Sequence, residues 1–224
     1  MCGRYVLGPV TFAYWTALRG FLDPLGIRVS YNVAPTQMVL VMHQMDHERN
    51  FAAMRWGLIP SWAGDTRISY RMINARCETV AEKPSFRDAF KRRRCLVLAD
   101  GYYEWRKVAG NSKQPYYIYR KGPPLAFAGL WERWEQEAAC LESCTIITTQ
   151  ANAPLAKIHD RMPVILHPDE IEVWLDSEFQ DADKLQEMLR PYSGDDLEPV
   201  AVSTLVNNPQ NDTPACMEPV KRVE

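Results

Sequence analysis

Apolar and polar positions alternate in short runs along most of this chain, and only a few stretches carry the wider spacing of a helix. MVLVMH (38–43) and NFAAMRWGLI (50–59) read as strands separated by a polar turn at 44–49. Further strands are predicted at 1–7, CLVLAD (95–100), GYYEWRKV (101–108), PYYIYR (115–120), LAFAGLW (125–131), CTIITT (144–149), MPVIL (162–166) and EPVAVSTLV (198–206). Helical spacing is found at 10–21 and near 152–158, 168–175 and 181–190. PSFRDAFKRRR (84–94) also predicts a helix, with proline in the first turn and basic residues at the negative end of the dipole. YNVAP (31–35) reads as a loop, and residues 60–83 show no strong period, which is long for a connection without a task. Strands outnumber helices and do not alternate with them. The predicted fold class is therefore α+β, a mainly antiparallel, barrel-like sheet system with peripheral helices. No repeat, linker or low-complexity tract divides the chain, so residues 1–224 are expected to form one domain.

Composition narrows the function more than the fold. With 46% hydrophobic and 24% charged residues, the chain can bury a substantial core. A formal net charge of -2 supplies no global attraction to nucleic acid, so any such binding needs a local basic patch. No basic-then-apolar leader pattern opens the sequence, and no apolar run approaches ~18 residues. A cytoplasmic protein without a membrane partner is expected. The six cysteines are scattered without a CxxC pair, and Cys140 with Cys144 lacks a second pair to complete four ligands. Reduced thiols and no metal or other cofactor are the simplest reading, and with no oligomer signal a monomer is the default. His43 and His47 fall on a strand end and turn and read as surface residues, and His167 carries no signal.

Several positions carry candidate chemistry. Cys2 directly follows the initiator in MCGRY, and a small residue there favours removal of Met1. Cys2 would then present a 1,2-aminothiol whose α-amine has an ordinary pKa near ~8, far below that of lysine. Such an amine condenses with an aldehyde, and the thiol can close a five-membered thiazolidine on the resulting imine. Taken alone, a cysteine after methionine is more often an unremarkable terminal residue. In GYYEWRKV, alternation puts Tyr102, Glu104 and Arg106 on one face, and a carboxylate among aromatics loses solvation and gains proton-transfer character. A solvent-facing ion pair is the competing reading. His159 in KIHDRMPVIL precedes Asp160 and leads into an apolar strand, as a proton donor or as a capped loop histidine. Asn74 and Arg76 in INARCET offer amide and guanidinium groups, and Arg4, Arg67, Arg71 and Arg161 lie in or beside similar segments. The KRRR run (91–94) is better explained as a helix C-terminus than as a nucleic-acid signal. Trp56 and Trp62 bracket Ile59 and Pro60; Trp56 suits the core and Trp62 the surface, where it could stack on an unpaired base.

Taken together, MCGRY (1–5), YNVAPTQ (31–37), WGLIPSW (56–62), INARCET (73–79), CLVLADGYYEW (95–105), AGLWE (128–132), TIITTQAN (145–152) and IHDRMPVIL (158–166) resemble the SOS-response-associated peptidase (SRAP) family of abasic-site processing proteins. The matches run in family order over nearly the whole chain; one small departure is Leu98, where the family often has proline. The resemblance implies a single-domain α+β fold that binds single-stranded DNA containing an abasic site, with a preference for single-strand/duplex junctions. It implies autoproteolytic loss of Met1, a thiazolidine between Cys2 and the ring-opened sugar aldehyde, and a weak lyase activity through the imine. The implied catalytic set is Cys2, Asn74, Glu104 and His159. The implied DNA contacts are Arg4, Asn32, Pro35, Trp56, Trp62, Arg76 and Arg161. In a bacterium the protein would be nucleoid-associated. Two other readings of the residues remain: an N-terminal-nucleophile amidohydrolase or cysteine peptidase, and a noncovalent single-strand DNA-binding module.

Overall fold

The computed structural model describes residues 2–15, 26–45, 47–110, 112–136 and 139–220. Its strands, in chain order, are β1 (Tyr5–Leu7), β2 (Ser30–Val33), β3 (Met38–Met45), β4 (Glu48–Trp56), β5 (Asn74–Arg76), β6 (Arg94–Ala99), β7 (Gly101–Lys107), β8 (Lys113–Arg120), β9 (Leu125–Gln136), β10 (Ala139–Gln150), β11 (Arg161–Pro163) and β12 (Leu197–Ala201). Short helices are peripheral: α1 (Pro9–Tyr14), α2 (Arg87–Arg92), α3 (Ile171–Leu175) and α4 (Ala182–Glu187). The fold is α+β, as the alternation predicts.

Two sheets share the core. One runs β12-β8-β7-β1-β2 with antiparallel neighbours throughout. The other runs β11-β10-β4-β3-β6-β9, and a further β9–β10 pairing closes β10, β4, β3, β6 and β9 into a barrel. Closure removes free edges. Its one parallel seam is β10 against β4, and β5 joins β10 in parallel as well, within a system that is otherwise antiparallel as expected. β10 spans this system because it is long: its first part pairs β9, and its last residues pair β5 and β11. The barrel interior holds Val39, Met54, Trp56, Val97, Phe127 and Ile146, all without exposure. Full burial of such side chains contributes roughly 1.5–3 kcal/mol each.

Several expectations shift in detail. The strand predicted at 198–206 stops at Ala201, and a 3-10 turn (Thr204–Asn207) follows. Residues 60–83 contain a 3-10 helix (Thr66–Arg71) and β5 instead of one open loop. The YNVAP segment read as a loop contributes β2. The helix expected at 10–21 is seen as α1, and residues 16–25 lie outside the described set. Its start is fixed by Asp100, whose carboxylate accepts from the Val10 and Thr11 amides and from Thr11 Oγ1. His43, read as a surface residue, is only 4% exposed and packs against Trp131 with ring centroids 5.0 Å apart. The KRRR run ends in the buried Arg94, whose guanidinium donates to the carbonyls of Phe90, Lys91, Trp174, Asp176 and Phe179. That side chain clamps α2 to the end of α3, which is why a basic residue tolerates the core there. No disulfide links the cysteines, and among the described residues no helix is long and apolar enough to cross a membrane.

Candidate functional site

The N-terminus enters the fold alongside β7. Tyr5 pairs with Tyr102 across the β1–β7 ladder, and the Tyr103 amide donates to the Arg4 carbonyl, which carries the residues before Tyr5 toward Glu104. Cys2 is completely buried. Its carbonyl accepts from Asn74 Nδ2 at 2.8 Å, a bond made possible because β5 runs beside β10 and presents Asn74 inward. Its sulfur accepts from the Arg4 amide. Burial, aided by the Glu104 carboxylate, pushes the Cys2 thiol far above its ordinary range.

Glu104 is 3% exposed, and burial raises its pKa to about 7. His159 follows a short 3-10 turn (Leu155–Lys157), and its Nε2 lies 4.0 Å from Glu104 Oε2. Burial lowers the His159 pKa, so imidazole and carboxyl face one another without a full pair of charges near neutral pH. Two neighbours compete for Nδ1: the Arg161 amide at 3.0 Å and the Asp160 carboxylate at 2.9 Å. The amide decides the tautomer, because its proton is fixed whereas the Asp160 side chain is 86% exposed and can turn to water. Nδ1 is therefore the acceptor, and Nε2 carries the proton toward Glu104.

Two clefts meet at this histidine. One, of about 660 Å³, is lined by Arg76, Gln150, Ala156, His159, Asp160 and Arg161. The other, of about 360 Å³, is lined by Trp105, Arg106, Lys107, Lys113, Lys157 and His159. Among the four predicted catalytic residues, the fold joins Cys2 to Asn74 and Glu104 to His159, with the Cys2 sulfur feeling the Glu104 charge. The basic second cleft was missed by sequence reasoning apart from Arg106. Its signal was a hairpin with Arg106, Lys107 and Lys113 around its turn, which acquires meaning only when Lys157 arrives from a distant segment.

The predicted DNA contacts divide. Arg76 is exposed on the wall of the larger cleft. Arg161 lines the same wall but already makes a two-pronged pair with Glu78, with Nη2–Oε2 at 3.0 Å, and donates to the Thr148 carbonyl at 2.6 Å. That pair holds Glu78 well below the usual carboxylate range, at about 2. Trp62 is 61% exposed, and Pro35 is half-buried beside Thr36, whose φ is 77°. Trp56 and Asn32 are corrections. Trp56 is fully buried, with its indole N–H on the Ile73 carbonyl at 2.9 Å. Asn32 is 1% exposed; its amide donates to the carbonyls of Val206, Asn208 and Asn211. Neither presents a surface to a nucleic acid, because the polar groups sequence reasoning assigned to a ligand are spent inside the fold. Arg4 is drawn into the same lattice, donating to Asn32 Oδ1 at 3.0 Å and to the Val206 carbonyl at 2.8 Å.

The His/Cys/Asp/Glu side chains among the described residues form no cluster of three or more suited to a metal ion. What the arrangement can do is organic proton chemistry: a buried N-terminal segment, a carboxyl group tuned near neutrality, a neutral imidazole donor and polar clefts leading outward.

Comparison with known proteins places this geometry. The family profile described as SOS response associated peptidase (SRAP) matches residues 1–209. The chain is 47% identical to the abasic site processing protein YoqW of Bacillus subtilis (strain 168), covering 97% of this chain and 99% of that one. It is 39% identical to the abasic site processing protein HMCES of Xenopus tropicalis, covering 84% of this chain and 65% of that one. A crystal structure of a Bacteroides thetaiotaomicron protein superposes with a TM-score of 0.77 at 30% identity, covering 85% of each chain.

Proposed function

The chain belongs to the SOS response associated peptidase (SRAP) family, and from that premise and the site's chemistry we propose that it processes abasic sites in single-stranded DNA through a covalent link to Cys2. After Met1 is removed, by the protein itself, the Cys2 α-amine attacks the aldehyde of the ring-opened sugar. Loss of water gives an imine, and addition of the thiol closes a thiazolidine. The observation that carries this reading is the buried Cys2 held by Asn74 beside a carboxyl group tuned to about 7.

The thiol's raised pKa argues for the order of events. A thiolate is costly in this pocket, whereas an α-amine with an ordinary pKa near ~8 supplies a neutral nucleophile at physiological pH. The same fact weighs against a cysteine peptidase that opens with thiolate attack on a peptide carbonyl. Asn74 fixes the Cys2 backbone and thereby the amine. Glu104, near half-protonated at neutrality, can donate to the departing hydroxyl and accept the thiol proton in turn. His159, with its Nε2 proton, donates to sugar oxygens as the ring opens. The imine also permits β-elimination of the 3′ phosphate, giving a weak lyase activity. Arg76 lines one cleft and Arg106, Lys107, Lys113 and Lys157 the other, so the backbone of a strand can find cations on both sides of His159 although the net charge is only -2.

The test is a denaturing gel of protein with a single-stranded oligonucleotide carrying one abasic site, after mass measurement establishes loss of Met1. A heat-resistant shifted band is expected with wild type and abasic DNA, and none with Cys2→Ala or intact DNA. No adduct from protein lacking Met1 would overturn the covalent reading.

A further inference from the structure

Tyr5 and Tyr102 are direct cross-strand partners on β1 and β7, and both are fully buried. Their rings meet Phe127 edge-on, at centroid distances of 6.3 and 5.9 Å. In an apolar core this is the setting of a phenylalanine, yet both carry hydroxyls. Neither hydroxyl has a hydrogen-bond partner among the described residues. Burying an unpaired hydroxyl is costly, so native cores rarely keep one without a task. The two phenols differ in what surrounds them. Tyr5 also meets the buried Trp56 edge-on at 5.4 Å, which turns its ring into the barrel. Tyr102 shares a face of β7 with Glu104, and both Cys2 and Glu104 lie close enough to oppose its ionisation. Its hydroxyl therefore belongs to the same buried pocket as the thiol and its proton acceptor. Asn74 Oδ1, another buried atom without a partner, adds to the polar lining around Cys2.

The thiol faces a specific difficulty in that pocket. Ring closure requires the sulfur to bond to the imine carbon. The C=N π pair moves to the nitrogen of the protonated imine, which becomes the neutral ring N–H, and the S–H proton passes to the Glu104 carboxylate. Negative charge grows on sulfur before the bond is complete, and the Arg4 amide already donates to it. Resting on the thiazolidine chemistry proposed above, we infer that Tyr102 is a positioning residue for ring closure, its hydroxyl donating to the Cys2 sulfur while Glu104 takes the proton. The step needs no oxidant or reductant, and the phenol keeps its own proton throughout.

The test separates the two bonds that Cys2 makes. Wild type, Tyr102→Phe and Tyr5→Phe, each confirmed to lack Met1, react with the single-stranded abasic oligonucleotide. One set of samples is quenched with borohydride, which reduces the imine. The other is denatured by heat, which only the thiazolidine survives. The inference predicts that Tyr102→Phe forms imine at the wild-type rate but thiazolidine on the order of tenfold more slowly, the loss of one hydrogen bond to a charged atom. Tyr5→Phe, which removes the same group a strand away, leaves both rates unchanged. Melting temperatures of both variants should equal or exceed that of wild type, because an unpaired buried hydroxyl is removed. Replacing Tyr102 with 3-fluorotyrosine, a stronger donor of nearly the same shape, should speed ring closure. Equal thiazolidine rates in Tyr102→Phe and wild type would overturn the inference. So would a proportional fall in imine and thiazolidine, the same effect from Tyr5→Phe, or no acceleration by the fluorinated ring. Absence of any adduct in wild type would instead overturn the covalent reading beneath it.

Discussion

Two histidines flank β11 at similar depth, and only one stands in a reactive setting. His167 packs on Tyr192 with ring centroids 4.9 Å apart, and its Nε2 lies 3.3 Å from Ser193 Oγ. That pairing resembles a nucleophile and its base. Yet the Glu170 amide donates to the His167 carbonyl at 3.0 Å and the Glu170 carboxylate accepts from the His167 amide, so this cap holds the backbone and leaves the imidazole tautomer open. Ser193 itself is exposed to water. His159 is held more closely, with its Nδ1 accepting from the Arg161 amide. The difference is the partner. A buried carboxyl group raised to about 7 exchanges protons at neutral pH, whereas an exposed serine hydroxyl does not. Proximity of the right residue types is thus a weaker sign of chemistry than the solvation of the acid.

The comparison can be broken hardest at Glu104. Glu104→Gln should slow thiazolidine formation by roughly 10²–10⁴-fold, the usual scale of general acid–base catalysis, as read from single-turnover gels. In wild type the rate should climb as pH rises through about 7, as Glu104 ionises, and further as the α-amine loses its proton near ~8. In Glu104→Gln only the upper limb should remain. A wild-type profile lacking the lower limb would remove Glu104 from its role as base.

The next effect concerns stability. The folded pKa of Glu104 lies above the ordinary carboxylate value, so its contribution is intact below pH ~4 and is lost as pH rises through about 7. Glu104→Gln should therefore be more stable than wild type at pH 8, on the order of 2–4 kcal/mol, and nearly equal to it at pH 4. Denaturant melts at the two pH values measure this. Equal differences at both would mean that the charge is not buried in solution.

His159→Ala should slow adduct formation by roughly 10²-fold, while His167→Ala and Ser193→Ala should leave it within twofold of wild type. A comparable loss in His167→Ala would reverse the contrast. The smallest effect belongs to the basic cleft. Lys107→Ala and Lys113→Ala should each weaken single-strand binding modestly and reduce the salt slope by about 0.7, without changing the rate of ring closure at saturating DNA.

The sequence made some of this legible and hid the rest for physical reasons. Alternation between 38 and 56 declares the β3–β4 hairpin because one face is buried and the register is local. Glu104 stands out as a carboxylate in an aromatic strand pattern, but the same residues also read as a solvent-facing ion pair, and only the fold's burial of it decides between them. Its proximity to His159 is not written in any local pattern, since β7 and the turn before β11 are brought together only by the closed barrel. Asn32 misled because a polar residue beside Pro35 resembles a loop ligand; its amide is consumed by carbonyls that lie near the far end of the chain. Tyr102 read as ordinary strand packing, since an unpaired hydroxyl is a property of surroundings and not of residue type.

The stitching of Asn32 to Val206, Asn208 and Asn211, together with Asp212 on the Ser30 hydroxyl and the Tyr31 and Asn32 amides, ties β2 to a distant segment of the chain. β1 pairs locally with β2, but its other neighbour β7 and the strap near 212 come from distant parts of the chain, so this corner of the fold rests on contacts of long sequence separation. On the reading proposed above, the enclosure of Cys2 then depends on contacts that residues far along the chain must supply. A shortened chain lacking that strap would leave the reactive group open to any small aldehyde.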